Sequence, residues 1–169
     1  MRKSLVLLLG FAVATALVAP ALGIGGGDGR KVVDAKVLAP VSEPYTGAAN
    51  AIRGVAGGGL PWEIDSGSAD LRASGQLHVE VEGLVLARRS PVPLNLQGTN
   101  PVPQFKAIVS CLTTTAGVAT TSNISTSSVP ASASGNAEID TTVALPSPCF
   151  APIVFVTSPT GAWFAVTGR

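Results

Sequence analysis

The sequence SADLRASGQLHVEVEGLVL, residues 68–86, has the clearest secondary-structure pattern in this chain. Apolar and polar residues alternate on both sides of its Ser74-Gly75 dipeptide. A period of two is typical of β-strands that bury one face and expose the other. The stretch therefore predicts a β-hairpin whose two strands share one apolar face.

The turn fixes the register of this hairpin. A two-residue loop at Ser74-Gly75 would put the two apolar sets on opposite faces, because it would pair Leu71 with His78. A three-residue loop that adds Ala73, with Gly75 in the left-handed conformation, keeps both sets on one face. The cross-strand pairs that we expect are Leu71 with Leu77, Ala69 with Val79, and Asp70 with His78.

Further strand patterns predict an all-β fold. Turns rich in Pro and Gly separate them, and no amphipathic helix of useful length follows residue 21. This pattern favours an antiparallel β-sandwich, immunoglobulin-like or similar, with a small β-barrel as the alternative. The other predicted strands are residues 105–112, 137–145, 149–157 and 162–167, and residues 149–157 are apolar on both faces, as a central strand would be.

The N-terminus has the pattern of a secretory signal peptide. Met1-Arg2-Lys3 precedes an apolar run over residues 5–18, and the small residues of Ala19-Pro20-Ala21 follow. The run is short for a membrane-spanning helix. We expect a signal peptide over residues 1–21 with cleavage after Ala21 or, as the second choice, after Gly23; an uncleaved anchor is the alternative.

This pattern divides the chain into three parts. Behind the signal peptide, residues 22–50 are interrupted by Gly and Pro and predict a flexible or loosely packed arm. Residues 51–169 are of the right length for one β-sandwich domain. The product is expected to be secreted, extracellular or held in the cell envelope, without stable insertion in the membrane.

Two cysteines, Cys111 and Cys149, are present in the expected domain. An oxidising compartment favours one disulfide between them. The bridge would join neighbouring strands or the two sheets, and the sequence does not choose between these placements.

Charge is sparse and uneven. Eleven basic residues against ten acidic ones give a formal net charge of +1, which offers no electrostatic basis for binding nucleic acid. No charged residue lies between Lys106 and Glu138, and about half of residues 113–135 are Ser or Thr, which predicts a polar hairpin or a surface loop. Because charged residues normally discourage pairing at sheet edges, self-association is a hypothesis.

The chain offers little material for catalysis. His78 is the only imidazole, and its alternating position predicts an exposed residue rather than a general base or a metal ligand. We expect no catalytic residue, no metal ligand and no cofactor.

Two pairs of carboxylates predict a solvated strand face and not a catalytic site. Glu63 with Asp65, and Glu80 with Glu82, are spaced as on the exposed face of a strand, whereas glycosidase chemistry needs two carboxyls across a cleft. A weak calcium site formed by Asp65, Asp70 or Glu80 is a further alternative, although no calcium-binding loop motif is present.

Aromatic residues suggest one possible binding surface. Trp62 and Trp163, with Tyr45, could form a stacking platform that faces a sugar ligand. The competing interpretation places both tryptophans in the core.

The sequence resembles a family of small exported bacterial proteins of uncharacterised role. The stretches that carry the resemblance are GGGLPWEI, GQLHVEVEGLVL, NPVPQFKAIVSCL, LPSPCFAPIVFV and the terminal GAWFAVTG. The resemblance implies a secreted β-domain and supplies neither an activity nor binding residues.

These observations favour an exported, non-catalytic binding or structural module whose partner is an unknown extracellular protein or glycan. One alternative is a secreted hydrolase or lyase that depends on carboxylates alone. Another is an inhibitor-like protein that blocks an enzyme with the Pro-rich loop of residues 90–103.

Overall fold

The computed structural model describes residues 29–167, which form an all-β fold. The expected signal peptide, both cleavage positions and residues 22–28 of the expected arm lie outside the described residues. Within residues 29–167, no helix has the length and apolar character needed to cross a membrane. The strands are β1 (Lys31–Ala35), β2 (Leu38–Pro40), β3 (Trp62–Glu63), β4 (Ser66–Arg72), β5 (Gln76–Glu82), β6 (Val85–Leu86), β7 (Gln104–Thr115), β8 (Val118–Ser125), β9 (Val129–Pro130), β10 (Ala137–Thr142), β11 (Phe150–Thr157) and β12 (Trp163–Thr167).

The first sheet contains β1, β4, β5 and β10 in that order, all antiparallel. Its centre is the β4–β5 hairpin, and the predicted register of that hairpin is confirmed. Gly75 has a φ of 91°, and its N–H donates to the carbonyl of Arg72 at 2.9 Å to close the three-residue turn. The observed pairs are Leu71 with Leu77, Ala69 with Val79, and Asp70 with His78.

The second sheet has the order β2-β12-β11-β7-β8, and β9 pairs with the start of β7. A separate two-stranded sheet consists of β3 and β6. The antiparallel β-sandwich expected from the sequence is confirmed. Strand β11 is central, and its consecutive residues Val154, Phe155 and Val156 are all buried, so that both of its faces are covered.

The core lies between the two sheets. The alternating apolar residues Leu71, Leu77 and Val79 of the first sheet are buried there. An aromatic cluster completes the core: the ring of Trp62 stacks on that of Phe164 with centroids 3.9 Å apart, and Phe105 meets both rings edge-on. Such pairs contribute about 0.5–1.5 kcal/mol each beyond the apolar area that they bury.

One disulfide joins Cys111 in β7 to Cys149, the residue before β11, with their Cα atoms 5.0 Å apart. Because β7 and β11 are neighbours, the bridge lies within the second sheet and not between the sheets. The two cysteines are 38 residues apart. Closing a loop of that length stabilises the fold by about 4 kcal/mol if the effect is on the entropy of the unfolded chain.

The expected loosely packed arm is wrong for residues 31–41. Strand β1 pairs with β4, strand β2 pairs with β12, and the side chains of Leu38 and Val41 are buried. The β-domain therefore begins before residue 51. Gly and Pro residues around β1 and β2 suggested a loose segment. Both strands are held by hydrogen bonds to strands that are distant in the chain, and local sequence does not reveal such partners.

A covering loop, residues 46–58, lies against the outer face of the second sheet. The guanidinium of Arg53 donates to the carbonyls of Ser110 in β7 and Ala151 in β11, at 3.0 and 2.8 Å. Ala151 has a φ of 43° and lies where the register between β11 and β7 shifts. The side-chain amide of Asn123 in β8 donates to the carbonyl of Arg53 at 3.0 Å, so the loop is tied to three strands.

A glycine substitution tests the turn that sets the register. In Gly75→Ala, the added methyl would collide with the carbonyl of Val143, and the positive φ would also be strained. Gly117, in the β7–β8 turn, is the matched control, because its φ is 78° but its Cβ position is open. We expect urea denaturation to show a loss of about 1–2 kcal/mol for Gly117→Ala and a clearly larger loss for Gly75→Ala. Equal losses would contradict the steric argument.

Candidate functional site

The solvent side of the first sheet carries most of the acidic residues of this protein. Because Ala69, Leu71, Val79 and Val81 face the core, the residues between them face solvent. Six of the ten carboxylates in the sequence lie on this side. We call this surface the charged face; its residues are Lys31, Asp34, Lys36, Asp70, Arg72, His78, Glu80, Glu82, Glu138 and Asp140.

Lysines neutralise one half of the charged face. Asp34 of β1 lies directly across from Asp70 of β4, and both carboxylates contact Lys31 and Lys36. The distances from Asp34 are 2.7 Å to the Nζ of Lys36 and 3.4 Å to that of Lys31. The hydrogen bond from Lys36 lowers the pKa of Asp34, and the bond to Asp70 raises the pKa of Lys31.

The other half of the charged face has no such neutralisation. Glu80 of β5 lies directly across from Glu138 of β10. The Nδ1 of His78 is 3.8 Å from Glu138 and 4.0 Å from Asp140. Within residues 29–167, no Lys or Arg lies within ion-pairing distance of these carboxylates or of Glu82. We call Glu80, Glu82, Glu138 and Asp140 the acidic half.

The acidic half includes a shallow depression. Its lining includes the hydroxyls of Ser66 and Ser68, the carboxylates of Glu80 and Glu82, and the side chain of Lys36. The hydroxyl of Ser66 donates to Glu82 at 3.0 Å, which orients that carboxylate. The two carboxylates of the depression outnumber its one ammonium group and, with the hydroxyls, accept hydrogen bonds, so the depression suits a ligand that carries N–H donors or positive charge.

Of the carboxylates considered for catalysis, only Glu80 and Glu82 line a common depression. Glu63, in β3, forms an ion pair with the guanidinium of Arg88 and also accepts the backbone N–H of Arg88 at 3.0 Å. Asp65 lies beside Gly83, and Glu80 lies in the acidic half. No three His, Cys, Asp or Glu residues within the described ranges are grouped in a way that could hold a metal ion.

The tryptophans do not face a ligand. Trp62 and Trp163 are only 3% and 2% exposed, because Trp62 packs on Phe164 and Trp163 packs near Phe155. Tyr45 is exposed, whereas both tryptophans are buried. The alternative of a sugar-stacking platform is therefore wrong, and the core interpretation is confirmed for both tryptophans.

The Pro-rich loop of residues 90–103 is ordered by its own hydrogen bonds. The N–H of Leu96 donates to the carbonyl of Pro93, and that of Gly98 donates to Leu86, both at 2.8 Å. Leu94 is 88% exposed within a tight turn. A peptide that adds to a binding cleft as a β-strand is extended. Around Leu94, however, this loop forms a tight turn.

Sequence reasoning missed the lysine-paired half of this surface. Lys31, Asp34 and Lys36 were assigned to the loose arm, although Val33 and Ala35 alternate with Asp34 and Lys36 as in a strand. It also missed the pairing of β5 with β10, which brings Glu80 to Glu138, because these strands are far apart in the chain.

Comparison of the chain with family models, with curated proteins and with solved structures finds no match. The resemblance to small exported bacterial proteins therefore stays a prediction.

The lysine pairing of Asp34 gives a pH prediction. The pKa of Asp34 is lower in the folded protein than the ordinary 3.8, so its contribution to stability is complete above that value and is lost as the pH falls through the folded pKa. We expect Lys36→Met to raise the pKa of Asp34 toward its ordinary value in an NMR titration. Lys106→Met, in the second sheet, is the control and leaves it unchanged. A native Asp34 that titrates above 3.8 would contradict the pairing.

The repulsion between Glu80 and Glu138 gives a stability prediction. Like charges directly opposite each other destabilise a strand pair, so Glu138→Gln is expected to stabilise the fold by about 0.5 kcal/mol at low salt. Glu43→Gln, which removes an exposed carboxylate from a loop, is the control and changes stability little. Thermal unfolding at low and high salt measures both, and the gain at residue 138 diminishes with salt. A loss of stability in Glu138→Gln would show that the two carboxylates do not repel.

Proposed function

We propose that this protein is a non-catalytic binding module that acts outside the cytoplasm, and that the charged face is its binding surface. The observation that carries the proposal is the acidic half, where Glu80 opposes Glu138 and no Lys or Arg of the described residues pairs with either. The partner that fits is a positively charged segment of an extracellular protein. A glycan that carries amino groups is the alternative.

Glu80 and Glu138 are arranged unfavourably in the free protein. Opposed carboxylates lower the stability of the first sheet, and exposed positions on a strand accept neutral residues without harm to the core. Sites that violate such local preferences are expected to be functional. A cationic partner removes the repulsion when it binds, so the arrangement that costs stability in the free protein strengthens the complex.

Export is part of the proposal for two reasons. The N-terminal residues have the order of a signal peptide, and a disulfide between Cys111 and Cys149 forms and persists in oxidising compartments. A cationic segment of a secreted or envelope protein would be within reach there.

A carboxylate-dependent hydrolase or lyase is the weaker proposal. The carboxylate of Glu63 already accepts bonds from Arg88, and Glu80 belongs to an open face where water reaches it freely. A catalytic acid needs a raised pKa in a site that excludes water.

Binding of a labelled oligolysine peptide tests the proposal, with fluorescence anisotropy as the readout and an oligoglutamate peptide as the negative ligand. We expect oligolysine to bind at low salt and to be released as salt rises, because exposed charges are screened. The double variant Glu80→Gln/Glu138→Gln is expected to bind about fivefold more weakly.

The matched control is Glu43→Gln/Asp65→Asn, which removes the same number of charges from other exposed positions. Equal weakening in both double variants would mean that only net charge matters, and the charged face would then not be the binding surface. Failure of oligolysine to bind at any salt concentration would overturn the choice of a cationic partner.

A further inference from the structure

Strand β8 is an open edge of the second sheet. It pairs with β7 over eight consecutive residue pairs without a register shift, and nothing in the described residues pairs with its other side. The remaining edges of the two sheets are protected. Strands β1 and β10 carry charged residues, and β2 is only three residues long and ends in a proline. Open edges without charge, proline or bulge are the ones that add another strand.

The turn before β8 determines which backbone groups are free. The two-residue turn Ala116-Gly117, with φ of 50° and 78°, makes Thr115 and Val118 a hydrogen-bonded pair. Every second residue after Val118 then bonds to β7. The bond from the N–H of Thr126 to the carbonyl of Ala107 follows the same alternation. The free N–H and carbonyl groups therefore belong to Ala119, Thr121, Asn123 and Ser125.

We propose that β8 docks against β8 of a second copy of this chain, in antiparallel orientation around a twofold axis at Ser122. This register places Ala119 opposite the partner's Ser125, and Thr121 opposite the partner's Asn123. All four free residues of each strand are then paired, which forms about eight hydrogen bonds. A register centred on Thr121 would leave Ser125 beyond the end of the partner strand.

Two observations favour a second copy as the occupant. The chain has no charge between Lys106 and Glu138, so two β8 strands bring no like charges of their own together, and the charged face belongs to the other sheet. Arg53, whose carbonyl contacts Asn123, directs its guanidinium to the carbonyls of Ser110 and Ala151. The side chains of β8 are small, and Ser and Thr in facing strands can hydrogen-bond to each other.

The second observation is an exposed apolar row that reaches this edge. Phe150 is 60% exposed and lies across from Leu112, which is 41% exposed and lies across from Thr121. Paired β8 strands place Asn123 and its neighbours from the second copy next in this row.

The test measures the mass of the oxidised, exported protein by sedimentation equilibrium from about 1 μM to about 1 mM. We expect a monomer–dimer equilibrium that Thr121→Lys weakens by about tenfold or more, because each copy then places a charge at the edge. Thr142→Lys, the same change on exposed strand β10, is the control and leaves dimerisation unchanged. Circular dichroism confirms that both variants remain folded.

Hydrogen exchange identifies the interface itself. In a dimer, the amides of Ala119, Thr121 and Asn123 exchange slowly at high protein concentration and rapidly at low concentration. The amides of Thr120 and Ser122, bonded to β7, stay protected at both. A monomer at every concentration would overturn the proposal. A dimer in which the free amides of β8 remain unprotected would also overturn it, because another surface or an interface of different register would then hold the copies together.

Discussion

The three-residue turn that ends at Gly75 determines which residues of β4 and β5 meet water. Side chains alternate between the two faces of a strand, so a slip by one residue would exchange the core with the charged face. Leu71 and Leu77 would become exposed, and Asp70 and His78 would be forced between the sheets. Burying a carboxylate such as that of Asp70 without a partner costs several kcal/mol. The core and the candidate binding surface therefore depend on the same register.

In the second sheet, backbone polar groups need hydrogen-bond partners at the place where the pairing between β7 and β11 is irregular. The register between β7 and β11 shifts beside the disulfide, and a shift of this kind leaves carbonyls without ladder partners. From the covering loop, Arg53 donates to the carbonyls of Ser110 and Ala151 near this shift, and its own carbonyl accepts the amide of Asn123. A covalent bond and a charge-assisted contact thus hold the same place in the sheet, which ties the covering loop to the central strands.

The sequence predicts best those features whose signals lie close together in the chain. The hairpin register was predicted from the alternation of apolar and polar residues and from Gly75. Both signals lie within a few residues of the turn. The pairing of Cys111 with Cys149 was evident because only two cysteines exist. Strands β1 and β2 were missed because their partners, β4 and β12, are distant in the chain. The opposition of Glu80 and Glu138 depends on β5 meeting β10, and alternation alone does not say which strands become neighbours.

The layering of the fold has a geometric consequence for any pair of copies joined through β8. Paired residues of antiparallel strands project to the same side, so the twofold axis runs along the sheet normal, and the first sheets of both copies lie on one side of the joint sheet. Their carboxylates then point in a common direction. Such an assembly is bivalent, and a ligand with repeated cationic segments would meet its second contact at high effective concentration. Avidity of this kind exceeds single-site affinity by about 10²–10⁴ without any new contact.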